Sequence, residues 1–150
     1  MPFKVDFDKI NTANNARFLP FFNVKEDFMG IVECLSDIRF VPKKGNMKSD
    51  IHVVDVRIID GSQTISEEHI LDGKKIIEKK TQIYKNQEVT LVLNKAVLLS
   101  KFKRLQDELK SLTGVKVVIV GLGQAKNKNY LDFYVETYER AVQSGVISPL

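Results

Sequence analysis

The first half of the chain carries hydrophobic patterns that are typical of strands. Residues 28–40 are rich in apolar and β-branched side chains, and Gly30 falls where a strand can bend or bulge. Residues 51–60 alternate at their centre, so that Val54, Val56 and Ile58 fall on one face of a half-buried strand. A third apolar run, residues 89–93, predicts another strand.

The hydrophobic period changes in the last third of the chain. Apolar residues then recur every three or four positions between residues 96 and 112, which predicts a helix with one buried face that ends at Gly114. An apolar strand over 115–123, a polar turn over 124–129 and an alternating strand over 130–138 follow. The helix positions predicted to be buried are Val97, Leu98, Phe102, Leu105, Leu109 and Leu112.

Residues 61–87 give the weakest pattern, because their apolar side chains come only in short bursts. We expect part of this stretch to form a hairpin or a short strand. Its charge is more distinctive, since five lysines face a single glutamate between residues 74 and 85. Two interpretations stay open: a flexible loop without a ligand, and a mobile clamp that orders on nucleic acid. The lysines are Lys74, Lys75, Lys79, Lys80 and Lys85.

The length of 150 residues allows one hydrophobic core and is too short for two ordinary domains. We expect an N-terminal extension over residues 1–25, one domain over 26–140 and a short tail over 141–150. An apolar patch in the extension is predicted to dock on the domain and is the expected surface for self-association. Its members are Phe18, Leu19, Phe21 and Phe22.

Composition narrows the class of protein. The net charge of +4 only mildly favours a polyanionic partner. Cys34 is the only cysteine, which excludes an internal disulfide and a cysteine-rich zinc site and favours a reducing compartment. No apolar run approaches the length of about 18 residues that a membrane span needs. A soluble, cytoplasmic protein that does not enter a membrane is therefore expected.

Signals for catalysis or for a metal site are weak. Gly121 and Gly123 follow a strand, but no third glycine follows at the spacing of a dinucleotide-binding loop, so a bend that lets the strand curve or lets the backbone approach a ligand is expected instead. His52 and His69 lack a further ligand at metal-binding spacing. Asp50 and Asp60 bracket one strand and Asp55 faces opposite to both, so the three carboxylates are not expected to converge on one metal ion. We expect a non-enzymatic protein without a cofactor or metal.

The order strand, strand, strand, helix, strand, strand resembles the oligonucleotide/oligosaccharide-binding (OB) fold. The ending GVKVVIVGLGQAKNKNYLDFYVETYE resembles the last two strands of single-stranded-DNA-binding proteins of phages and related elements. The resemblance covers residues 26–140 and implies a mainly β, five-stranded Greek-key barrel with a helix between strands 3 and 4. It also implies a ligand lying across strands 2 and 3, between the loops at residues 42–49 and 124–129.

Both loops are basic, and the strands beside them carry aromatic residues. Lysines spaced along a groove can follow a phosphate backbone, and exposed rings can stack on bases without regard to sequence. The opposite interpretation stays open for each residue: a solvated lysine, or a tyrosine that covers the barrel with its hydroxyl in water. The candidate binding residues are Arg39, Phe40, Lys43, Lys44, Lys48, Arg57, Tyr84, Lys85, Lys126, Lys128, Tyr130 and Tyr134.

The resulting functional hypothesis is non-sequence-specific binding of single-stranded DNA in replication or recombination. RNA binding is an alternative, because the fold and the stacking mode serve both polymers. An assembly module that uses the N-terminal aromatic patch is the alternative from another class of protein.

Overall fold

The computed structural model describes residues 19–150, and its architecture is mainly β, as the alternating patterns predict. Within these residues, seven strands form one curled sheet with the shape of a half-barrel. Two helices in the same described range accompany the sheet: α1 (Ala96–Leu109), which follows β5, and α2 (Tyr138–Gln143), which follows β7. The strands are β1 (Phe21–Asn23), β2 (Met29–Cys34), β3 (Arg39–Val41), β4 (Ile51–Leu71), β5 (Lys74–Val92), β6 (Lys116–Gln124) and β7 (Leu131–Thr137).

Within the described residues the strands lie in the order β1-β5-β4-β2-β6-β7, and β3 pairs with the beginning of β4. The pairings are antiparallel except that of β1 with β5, which is parallel. A bulge in β4 at Ile59, opposite Ile31 and Val32 of β2, and another in β6 between Gly121 and Gly123 shift the register. Bulges bend a strand and increase its twist, which is consistent with the curl of the sheet.

The core lies between α1 and the inner face of the sheet. Leu98, Phe102 and Leu105 of α1 are fully buried, as the helical spacing predicts. On the sheet, the core includes the predicted inward faces of β4 and β7. Those sheet residues are Val54, Val56, Ile58, Phe133 and Val135.

The predicted first strand, residues 28–40, is two strands with a break between Cys34 and Arg39. The break connects the sheet to the end of α1, because the Asp37 carboxylate accepts hydrogen bonds from Ser111 Oγ at 2.9 Å and from Leu112 N at 2.7 Å. The prediction that α1 ends at Gly114 is wrong. The helix ends at Leu109, and the C-cap residue Lys110 takes a left-handed conformation with φ of 71°.

Residues 61–87, which sequence patterns resolve poorly, lie almost entirely in strands. The strand predicted at 51–60 continues to Leu71, and the run at 89–93 lies at the end of β5. Asp72 and Gly73 join the two strands with φ of 52° and 74°, the positive angles that a two-residue hairpin turn requires. We call residues 63–82 the arm, because in the described part of the chain its two strands pair only with each other.

Part of the predicted N-terminal extension belongs to the sheet. Residues 1–18 lie outside the described residues, and with them Phe18 of the predicted docking patch. Phe22 and Val24 are buried in the core, whereas Phe21 is exposed. Within residues 19–150, neither helix is long and apolar enough to cross a bilayer.

Candidate nucleic-acid interface

The β3–β4 loop, residues 42–50, presents three lysines to solvent. Lys43 N donates to Asp50 Oδ1 at 2.6 Å and Met47 N donates to Lys44 O at 3.2 Å, so the loop is held by its own hydrogen bonds. Among residues 19–150, no carboxylate forms an ion pair with Lys43, Lys44 or Lys48. Their ammonium groups are therefore available to an anionic ligand, with Asp50 as the one acidic neighbour in the loop.

An exposed aromatic ring stands at the base of this loop. Phe40 on β3 and His52 on β4 are direct cross-strand partners, and their rings meet edge to face with centroids 5.4 Å apart. Phe40 keeps 57% of its surface exposed. A large apolar ring in this position can stack on a base. His52 was not among the predicted binding residues. Only its place in a strand next to the loop could have indicated that its ring packs against Phe40.

The β6–β7 loop, residues 125–130, repeats this combination of lysines and an exposed ring. Ala125 N donates to Tyr130 O and Lys128 N donates to Ala125 O, both at 3.0 Å, while Gln124 Nε2 donates to Lys128 O at 2.8 Å. Lys126 and Lys128 are exposed and form no ion pair within the described part of the chain. Tyr130 closes the loop with 46% of its surface exposed.

The two basic loops lie at opposite ends of the sheet. At the end of the sheet near the β3–β4 loop, Glu33 of β2 pairs with Arg57 of β4 on one side and with Lys116, the first residue of β6, on the other. At the other end Met29 pairs with Val120, and β6 continues from there to the β6–β7 loop. The loops therefore do not form one cluster, and a ligand that contacts both must run along the sheet.

The two candidate arginines are held by carboxylates. Arg39 Nη2 lies 2.7 Å from Oδ1 of the buried Asp55, which also accepts a hydrogen bond from Thr90 Oγ1 at 2.8 Å. Arg57 forms an ion pair with its cross-strand partner Glu33. Both guanidinium groups already pair with a carboxylate, so neither is free to bind a phosphate group.

Tyr84 and Tyr134 are less accessible than the two loop rings. Tyr84 packs edge to face against Phe22 with ring centroids 4.9 Å apart, and it adjoins the core. Tyr134 is half-buried beside Val120, and desolvation by its surroundings together with the nearby Glu136 raises the pKa of its hydroxyl. Tyr84 therefore contributes packing, and Tyr134 offers only part of its ring.

Lys85 lies away from both loops. It lines a groove of about 600 Å³ on the outer face of the sheet, the face opposite the core. The floor and walls of this groove are mostly apolar. They include Met29, Ile83 and Val120 from three strands and Val146 and Ile147 from the chain after α2.

The arm lysines are largely balanced by acidic residues. Lys80 pairs with Glu67, and Lys75 Nζ lies 2.9 Å from Glu68 Oε1. The hydrogen bond from Lys80 is the main cause of the lowered pKa of the Glu67 carboxyl. With four lysines and four acidic residues, the arm has no net formal charge, which argues against a purely electrostatic clamp on nucleic acid.

One three-residue cluster on the arm has donor atoms of the kind that bind metals. Donor atoms of Glu67, His69 and Glu78 lie within 4.8 Å of one another. Lys80 already pairs with Glu67, and His69 Nε2 lies 3.2 Å from Glu78 Oε2. These contacts explain the cluster as part of the arm's ion-pair network, and we assign no metal to it.

The other residues with catalytic potential have structural positions. Burial raises the pKa of the Cys34 thiol to about 12, so it is a poor nucleophile. Gly121 lies against the backbone, because a Cβ there would come within 2.1 Å of Glu26 O. The register shift between Gly121 and Gly123 is consistent with the predicted bend, whereas the close approach is to the chain's own backbone, and the predicted approach to a ligand stays a prediction.

No family model matches the chain, and searches of curated proteins and solved structures find no match for it.

Proposed function

We propose that this protein binds single-stranded nucleic acid without strong sequence preference, and that its main ligand is DNA. In this proposal the binding has a role in replication or recombination. Phe40 and Tyr130 supply stacking surfaces in this proposal, and the lysines of the β3–β4 and β6–β7 loops contact phosphates. Each productive stack contributes about 1–3 kcal/mol, and every base has a face that can stack.

The observation that carries the proposal is the repeated combination of an exposed ring with lysines that form no ion pair within residues 19–150. Phe40 stands beside Lys43, Lys44 and Lys48 at one end of the sheet, and Tyr130 stands beside Lys126 and Lys128 at the other. Stacking rings and a positively charged path are the two components of sequence-tolerant single-strand binding. The lysines also lie in loops whose backbones are held by hydrogen bonds, which reduces the entropy lost on binding.

Strand pairing supports an OB-type interpretation of the sheet. We propose that β2, β4, β5, β6 and β7 correspond to its five strands, with α1 between the third and fourth of them. In support, β2 pairs with both β4 and β6, β4 pairs with β5, and β6 pairs with β7. The described sheet stays open between β5 and β7, and β1 occupies the free edge of β5.

The proposed ligand path runs along the sheet between the two loops. The ion-paired Arg39 and Arg57 and the packed Tyr84 contribute little to it directly. Because the two loops lie at opposite ends, an oligonucleotide too short to reach both should lose one of the two contact clusters. Affinity should therefore rise with length until both clusters are occupied, within the range of about 4–16 nucleotides known for such domains.

A fluorescence anisotropy titration with a labelled single strand of about 30 nucleotides, longer than that range, tests the proposal. It compares the parent with one variant that carries charge reversals at Lys43, Lys44, Lys126 and Lys128. Charge reversal at the exposed lysines Lys103, on α1, and Lys110, at its C-cap, is the control. Salt-sensitive binding that the fourfold reversal abolishes and the control retains would support the proposal. Absence of binding at low salt would refute it, and stronger competition by RNA than by DNA would reassign the ligand.

A further inference from the structure

The arm carries a surface that nucleic-acid binding leaves unexplained. Its strands reach beyond the rest of the sheet, and an isolated two-stranded hairpin is at best marginally stable in water. Several of its large apolar side chains are nevertheless exposed. Ile70 is 82% exposed and Ile77 is 59% exposed. Exposed hydrophobic residues grouped in this way mark an interaction site.

Ile70 and Ile77 lie on the same face of the arm as Ile83 at its base, whereas the exposed Leu71 and Ile76 lie on the opposite face. Ser62 pairs with Met29 on β2 and with Ile83 on β5, which places the base of the arm in the outer groove. Since side chains alternate along a strand, the same outer face carries Ile77 and Ile70 near the tip. Polar side chains separate these two apolar ends, namely those of Thr64, Ser66, Lys79 and Thr81.

We propose that two copies of the chain associate through the outer faces of their arms, laid antiparallel so that the tip of each arm covers the base groove of the other. A two-fold axis near the middle of the arm brings Ile77 of one copy over Ile83 of the other. The same contact between Ile77 and Ile83 recurs at the opposite end of the interface, because the two copies of an isologous interface use the same surface.

Charge favours a second copy as the partner. The arm has no net charge, so two arms can approach each other without the repulsion that two +4 chains otherwise experience. In the antiparallel arrangement Lys75 of one copy lies over Lys85 of the other, and Glu68 and Asp60 lie beside these lysines on the β4 strands. Each end of the interface then holds two positive and two negative charges.

The contact is small, which sets the expected strength. From Ser62 to Leu71 the arm is about 30 Å long, and two strands are about 10 Å wide. One face of these dimensions falls below the area of about 800 Å² per partner that is usual in stable complexes. The dimer should therefore be weak and should form only as the concentration rises.

Sedimentation equilibrium over a range of concentrations, without nucleic acid, tests this association. The parent should pass from the mass of one chain to that of two chains. Ile77→Glu and Ile83→Glu should each weaken dimerisation by at least about tenfold, since each removes a buried isoleucine from both ends of the interface. Ile76→Glu is the matched control, because Ile76 pairs with His69 on the opposite face of the same arm. Its dissociation constant should change by less than about twofold.

Disulfide trapping tests the orientation of the two arms. An equimolar mixture of Ile77→Cys and Ile83→Cys chains should give cross-linked dimers that join the two different chains, and each variant alone should give few. Cys34 is buried and does not interfere. A single-chain mass at every soluble concentration would overturn the proposal. Equal disruption by Ile76→Glu, or preferential cross-linking of Ile77→Cys to itself, would also overturn it.

Discussion

Nη2 of Arg39, on β3, lies 2.7 Å from Oδ1 of Asp55, on β4. Asp55 is buried, with only 3% of its surface exposed. Removing the guanidinium would leave this buried charge with Thr90 Oγ1 as its side-chain donor. Arg39→Ala should therefore lower the free energy of unfolding by about 1–3 kcal/mol. Urea denaturation measures this change.

Arg57 supplies the comparison for Arg39. Its ion pair with Glu33 is more exposed, so Arg57→Ala should change stability by only about 0–1 kcal/mol. Below the melting temperature, neither substitution should weaken DNA binding by more than about threefold, since both guanidinium groups are already paired. A large loss of affinity in a folded Arg39→Ala protein would show that this arginine contacts the ligand.

Tyr130 and Tyr84 should separate ligand binding from packing. Tyr130→Ala removes an exposed ring and should weaken binding to all sequences alike by about 1–3 kcal/mol, with little effect on the melting temperature. Tyr84→Ala removes the edge-to-face contact with Phe22 and should destabilise the fold by a similar amount while leaving affinity unchanged. Anisotropy and thermal denaturation of both variants check this contrast, and reversed effects would contradict it.

Sequence patterns locate the core because burial imposes a period. Val54, Val56 and Ile58 alternate, and Leu98, Phe102 and Leu105 recur at helical spacing, and all six are buried in the structure. The arm has no such period, because neither of its faces packs on the core. Its one local signal was Asp72–Gly73, a dipeptide strongly preferred in two-residue hairpin turns.

The candidate site was predictable only in part, for a similar reason. The lysines and rings of the two loops could be found from turn residues and composition. The pairing of Arg39 with Asp55 depends on how β3 aligns with β4, and the packing of Tyr84 on Phe22 depends on the parallel β1–β5 contact. A local sequence pattern does not contain the register of either strand pair. Side chains that are paired in the structure could therefore not be distinguished from free ones in the sequence.

The loop lysines should control the salt dependence of binding. Each lost phosphate contact reduces the slope of log affinity against log salt by about 0.7 for a single strand. Neutralising Lys126 and Lys128 to Gln should therefore lower the slope by up to about 1.4, and the same change at Lys43 and Lys44 should have a similar effect. Lys103→Gln with Lys110→Gln serves as the control. An unchanged slope in either loop variant would remove that loop from the interface.

Gly121 should tolerate no side chain. A Cβ there would lie 2.1 Å from Glu26 O and 3.1 Å from Phe28 N, both backbone atoms, and Gly121 N itself donates to Phe28 O at 2.6 Å. Gly121→Ala should destabilise the protein by at least about 2 kcal/mol, because the backbone has to move. Gly114→Ala is the comparison: it strains a positive φ but meets no atom within 4 Å. Equal denaturation midpoints for parent and Gly121→Ala would contradict the close approach.

Cys34 should make stability fall at alkaline pH. Burial is the main cause that raises the pKa of its thiol from 9.0 to about 12, so between these values the unfolded chain loses a proton that the folded chain keeps. The unfolded state then binds fewer protons, and the free energy of unfolding decreases as pH rises through this window. Because other groups titrate there too, the measurement is the difference between the parent and Cys34→Ala. The parent should lose stability more steeply above pH 9.0, whereas parallel curves would show that the thiol ionises as easily in the folded protein as in the unfolded chain.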